Sequence, residues 1–337
     1  MNILVTGGAG FIGSHTVVEL IASGHIPIIV DNLSNSHESV LINLERIVKQ
    51  KILFYKEDCC DKEKMDILFS THHFDGIIHF AAYKSVSESV HKPLLYWKNN
   101  INSLLTILEM AEKYQTRFFV FSSSATVYGN PDTLPLKETA PRKSSTNAYG
   151  ATKQAGEDIV QATCLKPSSK IKGISLRYFN PIGAHKSSLI GELPLGTPQN
   201  LIPFITQTAI GLREKLIVFG NTYPTPDGTC LRDYIHILDL ARAHIFALTH
   251  LTKNNSPSYD IYNIGTGKPS SVREVIQTFE KISGITLPYE IGPKRQGDIA
   301  NCYAEVSKAK RNLNWQAKFS LKEALSDAWK WQQSIKH

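Results

Sequence analysis

Short apolar runs separated by longer amphipathic stretches fill the first half of the chain. Ile3-Leu4-Val5 reads as a buried strand, followed by Ile26 to Val30, Ile52 to Tyr55, Gly76 to Phe80, Phe118 to Phe121 and Gly173 to Leu176. Between them the spacing is helical: from Phe11 onward, up to about Lys49, over Lys62 to Thr71, and over Pro93 to Tyr114, where Ile101, Leu104, Leu105, Leu108 and Ala111 share a face. A further helix begins just before Tyr149 and runs to about Leu165. Strand and helix thus alternate through about residue 177, which predicts a doubly wound parallel sheet of Rossmann type with ligands beyond the carboxyl ends of its strands.

The pattern then changes. Residues 181–230 carry Pro and Gly at short intervals, which predicts short elements joined by loops. Leu238 to Leu248, Val272 to Ile282 and Leu321 to Gln332 return to helical spacing. The expectation is an α/β chain with a dinucleotide-binding domain over 1–177 and a smaller α/β substrate-binding lobe over 178–337, their boundaries interleaved.

The first turn supplies candidate chemistry. After the strand Ile3-Leu4-Val5 come Gly7, Gly8 and Gly10, then a helix opening at Phe11-Ile12-Gly13. Gly8-x-Gly10-x-x-Gly13 fits the dinucleotide fingerprint and Gly7-x-x-Gly10-x-x-Gly13 its close relative; the helix N-terminus offers free N–H groups and a favourable dipole to a diphosphate. The second strand ends in Asp31, near the ~20-residue spacing at which a carboxylate meets an adenosine ribose. A carboxylate there repels a 2′-phosphate, so NAD is expected rather than NADP.

Composition changes this picture little. Of 337 residues 42% are hydrophobic and 20% charged, an ordinary globular balance. No apolar stretch is long enough for a bilayer, and Met1 leads directly into the first strand, so a cytoplasmic protein without membrane contact is expected. Cys59, Cys60, Cys164, Cys230 and Cys302 are scattered with no C-x-x-C pair, which argues against disulfides and against a zinc site, and no metal is expected. The net charge of +7 is dispersed, so no nucleic-acid partner is expected, while an anionic small substrate is compatible with it.

Tyr149-Gly-Ala-Thr-Lys153 places a phenol and an ammonium on one helix face. A tyrosine titrates near 10 in water; bringing it to about 7 requires roughly 4 kcal/mol, which two nearby cations, Lys153 and an oxidised nicotinamide, would supply in a closed site. Tyr149 would then take the proton of a substrate hydroxyl while a hydride leaves the same carbon. Ser122-Ser123-Ser124 follows the fifth strand; Ser124, reaching furthest, is placed to bridge a sugar oxygen and Tyr149. Without chemistry at Tyr149, Lys153 and Ser124, the same fold would serve as an NAD-binding sensor.

Taken together, TGGAGFIGSH, DNLSNS, FSSSATVYG, YGATK, LRYFNPIGAH, FGNTYPTPDGT, RDYIHILDLA and YNIGTG identify the chain as resembling the extended short-chain dehydrogenase/reductase family, from residue 1 to about 332. The resemblance implies that Gly7, Gly10, Phe11, Ile12, Gly13, Asp31, Asn32, Asn35 and Ser36 hold the pyrophosphate and adenosine ribose of NAD. It places Asp58 and Cys59 at the adenine, Phe80, Ala81, Ala82, Lys84, Asn99 and Ser122 along the rest of the dinucleotide, and Tyr178 and Phe179 beside the nicotinamide. Tyr149 would be the base, Lys153 its partner and a ribose ligand, and Ser124 the third member. Asn180, Asn200, Leu201, Phe219, Arg232, Arg295 and Asp298 would hold UDP; the two guanidinium groups suit a diphosphate on their own chemistry.

The implied reaction interconverts UDP-galactose and UDP-glucose through a 4-keto sugar. Cys302 stands where some members have a tyrosine at the sugar-pocket wall, which extends the expectation to UDP-GalNAc and UDP-GlcNAc. Uronate or pentose UDP-sugars differ only at the carbon 6 pocket and stay open. Dehydratases of this scaffold carry an Asp-Glu pair where this chain has Ala125-Thr126, so elimination lacks its acid here. The resemblance further implies a homodimer whose helices near 95–115 and 149–165 pair as a four-helix bundle.

Overall fold

The computed structural model describes residues 1–295 and 298–335; Gln296, Gly297 and the last two residues of the expected second lobe lie outside the described residues. The first half runs β1 (Asn2–Thr6), α1 (Phe11–Ala22), β2 (Ile26–Val30), α2 (Ser39–Val48), β3 (Leu53–Tyr55), α3 (Lys62–Thr71), β4 (Gly76–His79), α4 (Val86–His91), α5 (Pro93–Lys113), β5 (Phe118–Ser124), α6 (Ala148–Leu165) and β6 (Lys172–Tyr178). The second half runs β7 (Asn180–Ile182), α7 (Leu201–Ala209), β8 (Leu216–Phe219), β9 (Leu231–His236), α8 (Ile237–Leu251), β10 (Tyr259–Ile264), β11 (Pro269–Ser271), α9 (Val272–Ser283), β12 (Tyr289–Gly292), β13 (Asn301–Cys302) and α10 (Leu321–Ser334).

Seven strands form one sheet in the order β10-β6-β5-β4-β1-β2-β3, each neighbour parallel to the next. From β1 the chain builds outward to β3, then crosses back to β4 and builds the other way. The reversal between β1 and β4 opens a crevice at the carboxyl ends of the strands. Alternation along each strand feeds two layers. Ile3, Val5, Ile29, Ile78 and Val120 join a core with α1 and α8, while Leu4, Ile28, Ile77, Phe119 and Phe121 join a core with α3, α5 and α6. Burial on both faces is why these strands read as unbroken apolar runs.

Two differences from the sequence reading bear on the site. The fifth strand does not stop at Phe121: its ladder with β6 continues through Ser122↔Leu176, Ser123↔Arg177 and Ser124↔Tyr178. The three serines are therefore the last, buried residues of the strand, their backbone satisfied by the ladder. The sheet also gains β10 from the second half, and α8 packs over it against α1. A boundary at residue 177 leaves one strand of the sheet on its far side. Asp260 and Asn263 within β10 break the apolar run that marked the other strands.

The remaining lobe contains β11-β9-β13 with β7 beside β9, and a parallel pair β8–β12. Helices α7, α9 and α10 share a core of Ile205, Val275, Phe279, Leu325 and Trp329. Both α9 and α10 start with a capping box, Ser271 with Glu274 and Ser320 with Glu323.

Candidate active site

The glycine turn between β1 and α1 is built by close approach. Gly7 has φ +69, and a Cβ there would lie 2.8 Å from the Ala81 nitrogen; one on Gly13 would lie 2.3 Å from the Gly7 carbonyl oxygen. The turn is thus pressed between the first turn of α1 and the loop after β4. Gly10 is the N-cap of α1 and provides no side-chain cap, and no acidic residue occupies the first turn. An uncapped helix start over a side-chain-free turn fits a dinucleotide pyrophosphate.

Asp31 sits at the end of β2, buried. Its Oδ2 accepts from the Ala9 N–H at 3.0 Å, and its Oδ1 from the Leu33 N–H at 2.9 Å and the Ser36 hydroxyl at 3.0 Å. Burial raises its pKa and these donors pull it back. Asp31 therefore joins the glycine turn to the loop bearing Asn32, Asn35 and Ser36. Asn32 reaches Asp58 at 3.3 Å, Asn35 is exposed, and Cys59 is buried beneath. Phe11 and Ile12 pack along the α1 core, and Asn99 donates to Asn100 at 3.0 Å.

Tyr149 lies in the first turn of α6, whose N-cap Asn147 accepts from the Gly150 N–H at 2.8 Å. Lys153, one turn on, is buried and donates to the Ser122 carbonyl oxygen at 2.6 Å and to the Ser122 hydroxyl at 3.1 Å. Its ammonium lies 5.9 Å from the centre of the Tyr149 ring. Ser124 lies near enough to Tyr149 to favour its ionised form, and receives both the N–H and the hydroxyl of Thr126, at 3.2 and 3.0 Å. Register puts Tyr178 beside Ser124, with its hydroxyl on His244 at 2.5 Å. Phe179 packs in a small cluster with Tyr128 and Leu136, and the Phe80 ring lies 4.8 Å from that of His244.

The lowering of the Tyr149 pKa is expected from Lys153 and an oxidised nicotinamide acting together; the polypeptide alone shifts the phenol the other way. Burial raises the phenol, with Ser124 opposing, and burial lowers the Lys153 amine to about 7. The cause is shared: both charged forms are desolvated, and the amine is spent on neutral oxygens.

The second lobe provides the facing wall. Asn180 is the exposed first residue of β7, and Leu201 opens α7. Arg232, on β9, donates to the Ile299 carbonyl oxygen at 2.6 Å and lies 3.7 Å from Asp298. The Asp298 N–H donates to the Arg295 carbonyl oxygen at 3.3 Å, and the Arg295 guanidinium stacks 3.8 Å over the Phe219 ring at the end of β8. Cys302 pairs with Arg232 across β13 and β9. Cys302 and Ala304 both join the Phe179 cluster. Lys84 and Asn200 meet on one oxygen, Oε1 of Glu192, at 3.2 and 2.5 Å.

Several supporting residues escaped the sequence reading. Glu157, one turn beyond Lys153, is buried and takes Arg177 through Nε at 2.8 Å and Nη2 at 2.7 Å, and the Ser123 hydroxyl at 2.6 Å. Asn100 holds both backbone groups of Tyr83 and donates to Thr152 at 3.1 Å, fixing the loop after β4 against α6. An arginine inside the apolar run ISLRYF was the one available signal.

A sequence profile of the GDP-mannose 4,6 dehydratase family matches residues 4–328. A UDP-glucose 4-epimerase of Bacillus subtilis is 48% identical over 334 residues, covering 99% of this chain and 97% of the relative. Among solved structures, a UDP-glucose 4-epimerase from Stenotrophomonas maltophila with bound NAD and formylated UDP-arabinopyranose aligns with TM-score 0.96 at 46% identity, over 99% of this chain and 98% of the other. One from Bifidobacterium longum in complex with NAD+ and UDP aligns with TM-score 0.94 at 43% identity, over the same shares.

Proposed function

The chain belongs to the UDP-glucose 4-epimerase family of the extended short-chain dehydrogenases/reductases, and on that premise we infer that it interconverts UDP-galactose and UDP-glucose through a 4-keto sugar, with NAD as cofactor. The observation that carries the chemistry is the grouping of half-buried Tyr149 with buried Ser124 and Lys153 where β5 ends and α6 begins. Bound NAD supplies a hydride acceptor at sugar carbon 4, later the donor, and a positive ring near the phenol. Gly7, Gly10, Gly13, Asp31 and Lys153 are the groups that would hold it.

Tyr149 Oη takes the proton of the 4-hydroxyl and later returns it to the 4-keto oxygen. Ser124, beside the phenol, favours its ionised form during that exchange. With Lys153 protonated, its ammonium 5.9 Å from the ring centre favours the phenolate that accepts this proton. Arg232 and Arg295 anchor the diphosphate, and Phe219 with Asp298 completes that wall. Anchoring the nucleotide leaves the hexose free to turn about its phosphate link and offer its other face.

The family profile carries a dehydratase name, yet the residues after β5 favour epimerisation. Ala125 has no acid to give, and the Thr126 hydroxyl is engaged on Ser124. Cys302, small and turned with Ala304 toward Phe179, supports acceptance of the 2-acetamido sugars UDP-GalNAc and UDP-GlcNAc. Leu94, 81% exposed, with Val90, Trp97 and Leu105 forms an apolar strip on α4 and α5 that suits a homodimer through α5 and α6. A cytoplasmic enzyme is consistent with free cysteines and with no described helix long and apolar enough to cross a membrane.

Product analysis tests the reading: UDP-galactose is expected to give UDP-glucose with no change of mass. Loss of water from the product would overturn it. Tyr149→Phe is expected to lower kcat by about 10²–10⁴-fold.

A further inference from the structure

Lys84 and Asn200 belong to opposite walls of the site, one on the loop after β4 and the other at the start of α7. Both end on Oε1 of Glu192. Three observations set that oxygen apart from a surface ion pair. The Glu192 side chain is 11% exposed where that of Lys84 is 49% exposed. The Glu192 backbone is fixed, because Trp331 Nε1 donates to its carbonyl oxygen at 3.1 Å and a Cβ on Gly191 would lie 2.4 Å from Trp331 Cδ1. And Asn200 is the N-cap of α7 but makes no side-chain cap bond. Asparagine at that position ordinarily accepts a helix N–H; here its amide is diverted to Glu192. A second tie, from the Ser87 hydroxyl to Gln199 Oε1 at 2.8 Å, joins the same two segments.

Resting on the site assignment above, we propose that Glu192 is a positioning residue for the sugar nucleotide: one carboxylate oxygen straps a cofactor-side lysine to a substrate-side asparagine and holds both at the mouth of the site. Two exposed side chains are ordered before the ligand arrives, so less freedom is lost on binding. The strap stands apart from Tyr149 and Ser124, so its contribution falls on capture of the UDP-sugar more than on proton transfer.

Steady-state kinetics with UDP-galactose test this. Glu192→Ala, which removes both contacts, is expected to raise KM about tenfold with kcat within about twofold. Glu192→Gln, whose amide oxygen still accepts from Lys84 and Asn200, is expected to recover most of that loss. In the purified enzyme, amide exchange in the Ala variant should quicken over 83–92 and 192–201 and stay unchanged in β1, β4 and β5. A KM within twofold of the parent, or a Gln variant as impaired as the Ala variant, overturns the proposal. Should the Ala chain not fold, Glu192→Asp withdraws the oxygen from both partners while keeping the charge; it is expected to raise KM likewise, and a parental KM there is equally fatal. An inactive Tyr149→Phe beside a parental Glu192→Ala removes the strap alone, whereas a fully active Tyr149→Phe removes the site assignment beneath it.

Discussion

Tyr149, half-buried, and Lys153, buried one turn further on, have their protonation displaced in opposite senses, and the lysine's displacement is measurable without substrate. Lys153 titrates at 10.5 in its ordinary state and near 7 when buried. Unfolding therefore takes up a proton between those values, so the folded chain gains stability as pH rises from 7 to 10.5, and the cost of burying the charge is full below 7. In cofactor-free protein, the unfolding free energy of Lys153→Met relative to the parent is expected to be most favourable near pH 6.5. It should then decline by up to about 1.4 kcal/mol per pH unit between 7 and 10. Urea unfolding at each pH checks this, and a difference independent of pH would contradict it. The i, i+4 spacing of Tyr149 and Lys153 was legible because helix geometry alone brings the two to one face. The direction of the phenol shift was not, because desolvation depends on everything packed around it. Glu157 was hidden for a similar reason: its partner Arg177 arrives from another strand.

The elements were legible where the physics is local. Lys62–Thr71 and Ala148–Leu165 fall where periodicity puts them, since caps such as Asp61 and Asn147 lie in the adjoining sequence. The serine ending of β5 and the edge strand β10 were not, because both depend on ladder partners remote in the chain. Helix α6 illustrates what a cap contributes to catalysis. Asn147→Ala is expected to cost about 1 kcal/mol of stability. It should also lower kcat more than it changes KM, because Tyr149 lies in the turn that frays. Thermal unfolding and kinetics together check it; a stable variant of parental kcat would separate cap from chemistry.

Over the whole molecule, three buried histidines make the fold sensitive to acid. His15 and His79 are held at about 3 and His244 at about 4, burial being the main cause in each, against an ordinary 6.5. Unfolding takes up protons at these sites as pH falls below 6.5, so stability present above that value is lost toward pH 4, each residue adding up to about 1.4 kcal/mol per pH unit. Calorimetry from pH 8 to 4 is expected to show Tm falling from about 6.5 downward, and a flat Tm to pH 4.5 would contradict it. His79 bonds Thr6 across β4 and β1 at 2.9 Å, so acid attacks the sheet beside the cofactor turn itself.

β10 completes that sheet from the far end of the sequence, after the chain has already begun the smaller lobe. A fragment ending at residue 177 would leave β6 with an open row of unpaired backbone groups along its length, an invitation to pair with another molecule. Gene fusions that graft a new specificity lobe after β6 would inherit that raw edge. A change of substrate range made by side chains and loops within the smaller lobe leaves that edge covered.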